Sequence, residues 1–98
     1  REFESLRPDH LETMTVTVYV LRSKQTGKRY VGITKCLPRR MEEHRRGTAL
    51  SSRILGDFVV LMTETFPGYA AARDRERFLK SGQGRAYLDE RFGRGLGV

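Results

Sequence analysis

Two short segments rich in β-branched and aromatic residues constrain the fold of this chain more than any other feature. The first runs from Thr15 to Leu21 and contains neither glycine nor proline, and the second runs from Arg29 to Ile33. Such residues favour the pleated, half-buried surface of a sheet. The segment between them is polar and contains Gly27, which is typical of a turn. The pattern therefore predicts a β-hairpin.

Helical and strand patterns follow the hairpin along the rest of the chain. They predict a helix over residues 37–46, a strand over 57–65, a helix over 69–80 and a short last helix over 85–92. Gly82 and Gly84 are expected to end the second helix. At 98 residues the chain has the length of one compact domain. The order β-β-α-β-α describes a small α+β domain, which we place at residues 14–92 with a flexible tail at 93–98.

The charge of the chain indicates an anionic partner. Nineteen Lys and Arg residues stand against twelve Asp and Glu, which gives a formal net charge of +7. Residues 1–13 hold two arginines and four acidic residues, so the remainder carries +9. We predict that residues 1–13 are an added remnant or a disordered extension outside the domain. Nucleic acid is the first polyanion to consider, and a basic structural protein is the alternative on charge alone.

Composition excludes two classes of protein. No apolar run approaches the roughly 20 residues that cross a bilayer, so we expect a soluble protein of the cytoplasm. The single cysteine, Cys36, cannot form an internal disulfide or a multi-cysteine zinc site. The fold must therefore rest on its core and its hydrogen bonds.

Two basic side chains lie on the apolar stripe of the first predicted helix. Leu37 and Met41 mark this stripe as the inward side, and Arg40 and His44 fall on it at helical spacing. A guanidinium at the boundary of a core must find an anion or another acceptor, because leaving it unpaired destabilises the fold by several kcal/mol. Alternatively, Arg40 lies at the edge of the stripe and its aliphatic stem covers apolar surface.

A carboxylate lies on the inward side of the second predicted helix. Glu76 follows Ala72 by four residues and precedes Leu79 by three, and these apolar residues mark the inward side. One interpretation is a surface ion pair with Arg73 or Lys80, worth about a few tenths of a kcal/mol. The other is a hard metal ion that is held by the carboxylate and completed by water.

Each strand of the predicted hairpin carries a tyrosine. If the numbers of paired residues add to an odd number, Tyr19 and Tyr30 share one face of the sheet; an even number places them on opposite faces. We expect the odd register. Taken alone, two tyrosines in a sheet are usually core aromatics.

Taken in order, these residues resemble the GIY-YIG nuclease family, which is named for two tyrosine tripeptides. The residues that carry the resemblance are Thr17-Val18-Tyr19, Tyr30-Val31-Gly32, Arg40, His44 and Glu76. The match in order and spacing runs from residue 14 to about residue 88. Residues 79–85 are similar to the small stand-alone bacterial members of the family.

The resemblance implies a three-stranded antiparallel sheet flanked by helices, and a nuclease that hydrolyses phosphodiester bonds, DNA being favoured, with one Mg²⁺ or Mn²⁺ ion. It places Tyr19 and Tyr30 in the site, Arg40 on the scissile phosphate and Glu76 on the metal, with His44 assisting. The metal would act as a Lewis acid, and the arginine would offer a planar fork to phosphate oxygens. The favoured base is Tyr19 with His44 receiving or relaying the proton, and His44 itself is the alternative.

The chain departs from the family pattern at two points. Thr17 stands where the family name has glycine, a change that a strand tolerates. Many family members use an asparagine after the glutamate helix, but this chain contains no asparagine. Either Gln83 takes that role or the role is absent.

We expect the catalytic domain to hold its substrate itself, selecting by structure or strandedness rather than by base sequence. The candidate nucleic-acid contacts are Lys35, Arg39, Arg45, Arg46, Arg53 and Lys80. The alternative function is a nucleic-acid-binding module that keeps the fold without activity. The sequence leaves open DNA or RNA, endonuclease or exonuclease, monomer or dimer, and a pathway of DNA repair, competence or defence.

Overall fold

The computed structural model describes residues 15–47 and 55–93, which form a three-stranded antiparallel sheet and three helices. The elements are β1 (Val16–Ser23), β2 (Arg29–Thr34), α1 (Leu37–Arg46), β3 (Phe58–Phe66), α2 (Tyr69–Lys80) and α3 (Gly82–Phe92). The predicted α+β architecture is confirmed, and α1 and α2 begin and end at the predicted residues. Within the two described ranges, no helix is long and apolar enough to span a membrane.

Strand β1 lies in the middle of the sheet, and its side chains enter two separate cores. It pairs with β2 on one side and with β3 on the other. The core beneath α2 and α3 contains Val16, Val18, Val20, Val31, Ala72, Leu79 and Leu88. The core beneath α1 contains Tyr19, Leu21, Met41 and Leu55. Because successive side chains of a strand point to opposite faces, β1 supplies alternate residues to each core.

The hairpin has the odd register that was predicted from the sequence. Tyr19 pairs with Gly32, and Leu21 pairs with Tyr30. The two tyrosines therefore share a face, and their ring centroids are 6.1 Å apart. This face is the one that α1 covers, so both tyrosines lie beneath the helix that carries Arg40 and His44.

Strand β3 contains one more residue than its pairing with β1 requires. Met62 and Val60 pair with consecutive residues of β1, so Leu61 between them forms a β-bulge. Since side chains alternate along a strand, the extra residue changes which positions face which core. Met62 packs against the core beneath α2 and α3, whereas Phe58 packs against the core beneath α1.

The last helix begins at Gly82 rather than at residue 85, so the predicted start is wrong. Ser81 separates it from α2 and caps it, because the Ser81 hydroxyl accepts a hydrogen bond of 3.2 Å from the Gly84 backbone N–H. A Cβ at position 84 would collide with the Phe78 carbonyl oxygen and with Leu79 Cα. Gly84 thus allows α3 to approach the end of α2 closely, and it lies inside a helix instead of terminating one.

Three predictions fall on residues outside the described ranges. They are the extension over residues 1–13, the predicted tail over 93–98 apart from Gly93, and Arg53 as a nucleic-acid contact. The domain limits at residues 14 and 92 also stay predictions.

Candidate active site

Tyr19 is the centre of a buried cluster of polar and aromatic side chains beneath α1. The residue is 1% exposed, and its Oη lies 3.2 Å from Nε2 of His44, which is 3% exposed. The ring centroids of Tyr30 and His44 are 5.5 Å apart, and those of Phe58 and His44 are 5.8 Å apart. The structure therefore brings Tyr19, Tyr30 and His44, three residues predicted to be catalytic, into mutual contact.

The local sequence of α1 explains how His44 reaches this cluster. Met41 and His44 are the buried residues of the helix, as their spacing on one stripe predicts. The helix ends directly afterwards at Gly47, whose φ of 77° is left-handed and whose N–H bonds to the Glu43 and His44 carbonyls. The short helix therefore buries only one turn of its inward side, from Met41 to His44, and this turn carries the imidazole.

Gly32 makes room for the phenol of Tyr19. A Cβ at position 32 would lie 2.6 Å from Tyr19 Oη, 2.7 Å from Tyr19 Cζ and 3.0 Å from Tyr30 Cε2. The phenol therefore lies across the backbone of β2, where any side chain would displace it. The glycine of the second tripeptide is required by this close approach and not by an unusual backbone conformation.

We expect Gly32→Ala to push the Tyr19 phenol out of its contact with His44. Adding a methyl group to a filled site costs about 1–3 kcal/mol in the free energy of unfolding, and urea denaturation measures that loss. Gly82→Ala is the matched control, because nothing lies within 4 Å of a Cβ there and a helix accepts alanine. Equal stability of the two variants would show that the phenol moves aside without cost.

Burial sets the protonation states of Tyr19 and His44. Burial raises the pKa of Tyr19 above its ordinary value of 10.0; the neighbouring Tyr30 adds to this rise and the Arg40 guanidinium opposes it. Burial and then Arg40 lower the pKa of His44 from 6.5, against the opposing charge of Glu43. Both side chains are therefore neutral near pH 7. In that state His44 Nε2 can accept the hydrogen of the Tyr19 hydroxyl.

The lowered pKa of His44 predicts a loss of stability toward acid pH. The unfolded chain protonates His44 at its ordinary pKa of 6.5, whereas the folded protein resists protonation until a lower pH. The free energy of unfolding should therefore be highest above pH 6.5 and fall as the pH drops through that window. Urea denaturation between about pH 5 and 8 measures this, and His44→Gln should show a smaller decline. Identical declines in parent and variant would contradict the assignment.

Arg40 lies at the rim of the cluster and not inside it. Its side chain is 40% exposed, and its Nη1 lies 2.9 Å from Oε1 of Glu43, one turn further along α1. Its charge nevertheless reaches both buried groups, since it lowers the pKa of Tyr19 and of His44. Of the two interpretations of the stripe, the edge position is the observed one. The guanidinium can thus meet an anion that arrives from solvent.

Glu76 is brought to the sheet-facing side of α2 but not into the cluster. Its side chain is 16% exposed, and its Oε2 accepts a hydrogen bond of 2.9 Å from Lys80 Nζ. Among the described residues, no hydrogen bond or ion pair joins Glu76 to Tyr19, Tyr30, Arg40 or His44. The predicted ion pair with Lys80 is therefore present, and Arg73 takes no part in it.

One carboxylate of the predicted catalytic set, Glu76, is of the kind that could hold a hard metal ion together with water and substrate. In the described ranges, no group of three or more His, Cys, Asp or Glu residues is arranged to hold a metal ion. Mg²⁺ commonly keeps several waters and binds through one or two carboxylates together with substrate phosphates. Glu76 meets that requirement as a largely buried carboxylate, whereas an enclosed all-protein metal site does not fit the residues described.

The predicted nucleic-acid contacts that the structure describes are all exposed. They are Lys35, Arg39, Arg45, Arg46 and Lys80. Arg45 and Arg46 share Glu42 as an ion-pair partner at 3.7 and 3.1 Å. Gln83, the candidate substitute for the family asparagine, is exposed in the first turn of α3.

Two residues that border the cluster were not predicted from the sequence. Glu43, the partner of Arg40, could have been found from its helical spacing to that arginine. Phe58 contacts His44 only because the bulge at Leu61 turns it toward α1. The one signal for this was the uninterrupted apolar run over residues 58–62, where a regular half-buried strand would alternate.

Comparison with known proteins identifies the family to which this cluster of side chains belongs. The sequence profile of the GIY-YIG catalytic domain matches residues 15–87. The chain belongs to the GIY-YIG family. Its catalytic domain is that of a nuclease, so its general activity is the hydrolysis of nucleic acid, and GIY-YIG nucleases are generally dependent on a divalent metal ion.

A solved structure supports this membership of the GIY-YIG family. The solution NMR structure of the UPF0213 protein BH0048 from Bacillus halodurans is 31% identical to this chain, with a TM-score of 0.51. The similarity covers 82% of this chain and 87% of that one. None of the curated proteins compared matches the chain.

Proposed function

We propose that this GIY-YIG protein is a metal-dependent nuclease that cleaves DNA and selects its substrate by structure or strandedness. The observation that carries the proposal is the buried contact of 3.2 Å between Tyr19 Oη and His44 Nε2, with Arg40 at its rim. Packing alone does not require a neutral imidazole against a neutral phenol beside a guanidinium. A reaction that binds an anion and moves a proton uses all three groups.

Arg40 binds the scissile phosphate in this proposal. Its guanidinium presents a planar set of N–H donors, of which Nη1 bonds to Glu43. The remaining donors can hold two phosphate oxygens at once, a geometry that a lysine cannot provide. Because charge builds up on these oxygens as the phosphodiester bond is attacked, the same donors stabilise the transition state.

Tyr19 and His44 form the path for the proton of the attacking water. The Tyr19 hydroxyl is held neutral by burial, so it can take a proton from water only while it passes its own to His44 Nε2. The lowered pKa of His44 keeps this nitrogen ready to accept. His44 Nδ1 is buried and has no hydrogen-bond partner within the described residues, so no hydrogen bond at this atom stabilises the imidazolium. The proton therefore stays on His44 only briefly and passes to the departing oxygen or to solvent, which completes the hydrolysis.

Glu76 completes the proposed site from α2. It would hold one Mg²⁺ or Mn²⁺ ion, which when bound polarises the phosphate and the leaving oxygen as a Lewis acid. The ion pair with Lys80 orients this carboxylate in the free protein. Lys80 is exposed, so it can turn toward a phosphate of the substrate once the carboxylate has another cation.

The two tyrosines should differ in their effect on the cleavage rate. Tyr19 carries the hydrogen bond to His44, whereas Tyr30 contributes a ring contact at 5.5 Å. Tyr19→Phe should therefore slow single-turnover cleavage at least about ten times more than Tyr30→Phe, because it removes the proton path. Both variants keep their aromatic packing, which thermal unfolding checks. Equal rates would remove the distinction in roles, and no loss in either would remove both tyrosines from the chemistry.

One experiment separates the nuclease from a binding module that has kept the fold without activity. The purified protein is incubated with labelled single-stranded DNA, duplex DNA, branched DNA and RNA, each with Mg²⁺, Mn²⁺ or EDTA. We expect cleavage of DNA with either metal and none with EDTA. Tight binding with no cleavage of any substrate would support the silent module. Cleavage confined to RNA would overturn the preference for DNA.

A further inference from the structure

Tyr69 is an exposed aromatic side chain between two cations. It is the first residue of α2 and is 45% exposed. Lys35 Nζ lies 5.3 Å from its ring centroid, and Arg73 Cζ lies 6.0 Å from it. Lys35 belongs to the connection between β2 and α1, which leads directly into the helix of Arg40. The patch formed by Tyr69, Lys35 and Arg73, here called the tyrosine patch, therefore joins the first turn of α2 to the predicted catalytic helix.

Positive charge is uncompensated at the tyrosine patch, unlike elsewhere on α2. The other basic residues of this helix all have acidic partners: Arg75 with Glu64, Arg77 with Asp74, and Lys80 with Glu76. In residues 15–47 and 55–93, no carboxylate forms an ion pair with Lys35 or Arg73, and the first turn of α2 contains no acidic residue. An anionic ligand is what such a patch can accept.

Tyr69 lies outside the hydrophobic interior. It belongs to neither core, and its large ring faces solvent next to the two cations. A nucleobase offers a flat face that stacks on an aromatic ring, and its flanking phosphates bind Lys and Arg. The tyrosine patch supplies both of these contacts at one place.

We propose that the tyrosine patch binds an unpaired nucleotide of the substrate, whose base stacks on Tyr69 while Lys35 and Arg73 hold the flanking phosphates. This rests on the proposed function and names the substrate class, a single-stranded or locally opened nucleic acid. A base inside a duplex is stacked on both faces, so only an unpaired or extruded base can offer its face to the ring. The patch therefore discriminates by strandedness.

The position of the tyrosine patch suits a nucleotide close to the cleaved bond. Tyr69, Arg73 and Glu76 recur at helical spacing along one side of α2. Seven residues of helix separate Tyr69 from Glu76, a rise of about 10 Å. The base on Tyr69 would therefore lie about 10 Å along the helix axis from a phosphate at Glu76.

Binding measured in EDTA tests the tyrosine patch without cleavage. Fluorescence anisotropy follows the full chain on a labelled single strand of about 12 nucleotides and on a blunt hairpin duplex of the same composition. Tyr69→Ala should weaken binding to the single strand about tenfold and should change binding to the duplex little. Tyr69→Phe should bind both substrates as the parent does. Tyr69→Leu should resemble Tyr69→Ala, because it keeps apolar surface but no ring.

The cations have their own matched control. Lys35→Gln and Lys28→Gln remove the same charge from exposed positions, but Lys28 lies in the hairpin turn away from Tyr69. Lys35→Gln should weaken binding to the single strand several times more than Lys28→Gln. Equal effects would mean that only the net charge matters and would overturn the role of Lys35 in the patch.

Stacking itself is detected with 2-aminopurine, a fluorescent base that is quenched when it stacks. A single strand carrying one 2-aminopurine should be quenched by the parent and by Tyr69→Phe, but not by Tyr69→Ala. Unchanged binding and quenching with Tyr69→Ala, or equal losses on single strand and duplex, would overturn the proposal. Neither readout needs cleavage, so a parent that never cleaves refutes the nuclease and leaves the stacking result standing. A parent that cleaves while Tyr69→Ala binds normally refutes only the patch.

Discussion

Glu76→Gln is expected to reduce the single-turnover rate of cleavage by about a thousandfold or more, which corresponds to about 4 kcal/mol in the activation barrier. The amide has the shape of the carboxylate but lacks the charge that holds a hard divalent ion. Losing the ion removes its polarisation of the phosphate, and Glu76 is the only acidic residue in the predicted catalytic set. We therefore predict one metal ion and not a two-metal clamp.

Asp74→Asn is the matched control for this experiment. It changes a carboxylate to an amide on the same helix, but Asp74 pairs with Arg77 at 3.5 Å on an exposed surface. It should cleave at the parent rate. Thermal unfolding should be nearly unchanged for Glu76→Gln, because its ion pair with the exposed Lys80 is worth about a few tenths of a kcal/mol. Full activity of Glu76→Gln, or of the parent in EDTA, would refute the metal assignment.

Arg40→Lys should lose on the order of a hundredfold or more in single-turnover rate, which is the range seen when one preorganised donor is removed. It should keep most of its affinity for the substrate. Lysine preserves the charge and can still pair with Glu43, but it cannot hold two oxygens of one phosphate in a plane. The interaction is strongest in the transition state, so the loss falls on the chemical step. Thermal unfolding must be compared in parallel, since a misfolded variant would imitate a catalytic one.

Arg45 and Arg46 provide the contrast to Arg40. Both are exposed and share Glu42 as their partner, so their charge acts on the substrate through general attraction. Reversing both to Glu should weaken binding and flatten its dependence on salt, with the chemical step largely intact at saturating substrate. If folded Arg40→Lys cleaves at the parent rate and the double reversal stops the chemistry, the active site does not lie on the face of α1 that we propose.

Much of the fold could be predicted from the sequence because its signals are local. The β-branched runs indicated β1 and β2, and helical spacing with its terminal residues gave both limits of α1 and α2. The odd register placed Tyr19 and Tyr30 on one face, and the stripe of α1 placed His44 inward. Each of these conclusions depends on residues that are close in the chain or on strands joined by a short turn.

The features that could not be predicted depend on contacts distant in the chain. Gly84 looks like a helix terminator in sequence, and only the packing of α3 on α2 explains its place inside a helix. Phe58 reaches His44 through a bulge, which shifts the alternation without leaving a clear sequence signal. The protonation of Tyr19 and His44 depends on how deeply the folded chain buries them.

The two side chains that we propose to move the proton, Tyr19 and His44, are also part of the folded core. Tyr19 and His44 are almost fully buried, and they meet only when α1 has docked on the sheet. Here a nascent chain, or one that has begun to lose its structure, holds no assembled proton path. Undocking of α1 alone would therefore separate the two groups and stop the proposed proton transfer.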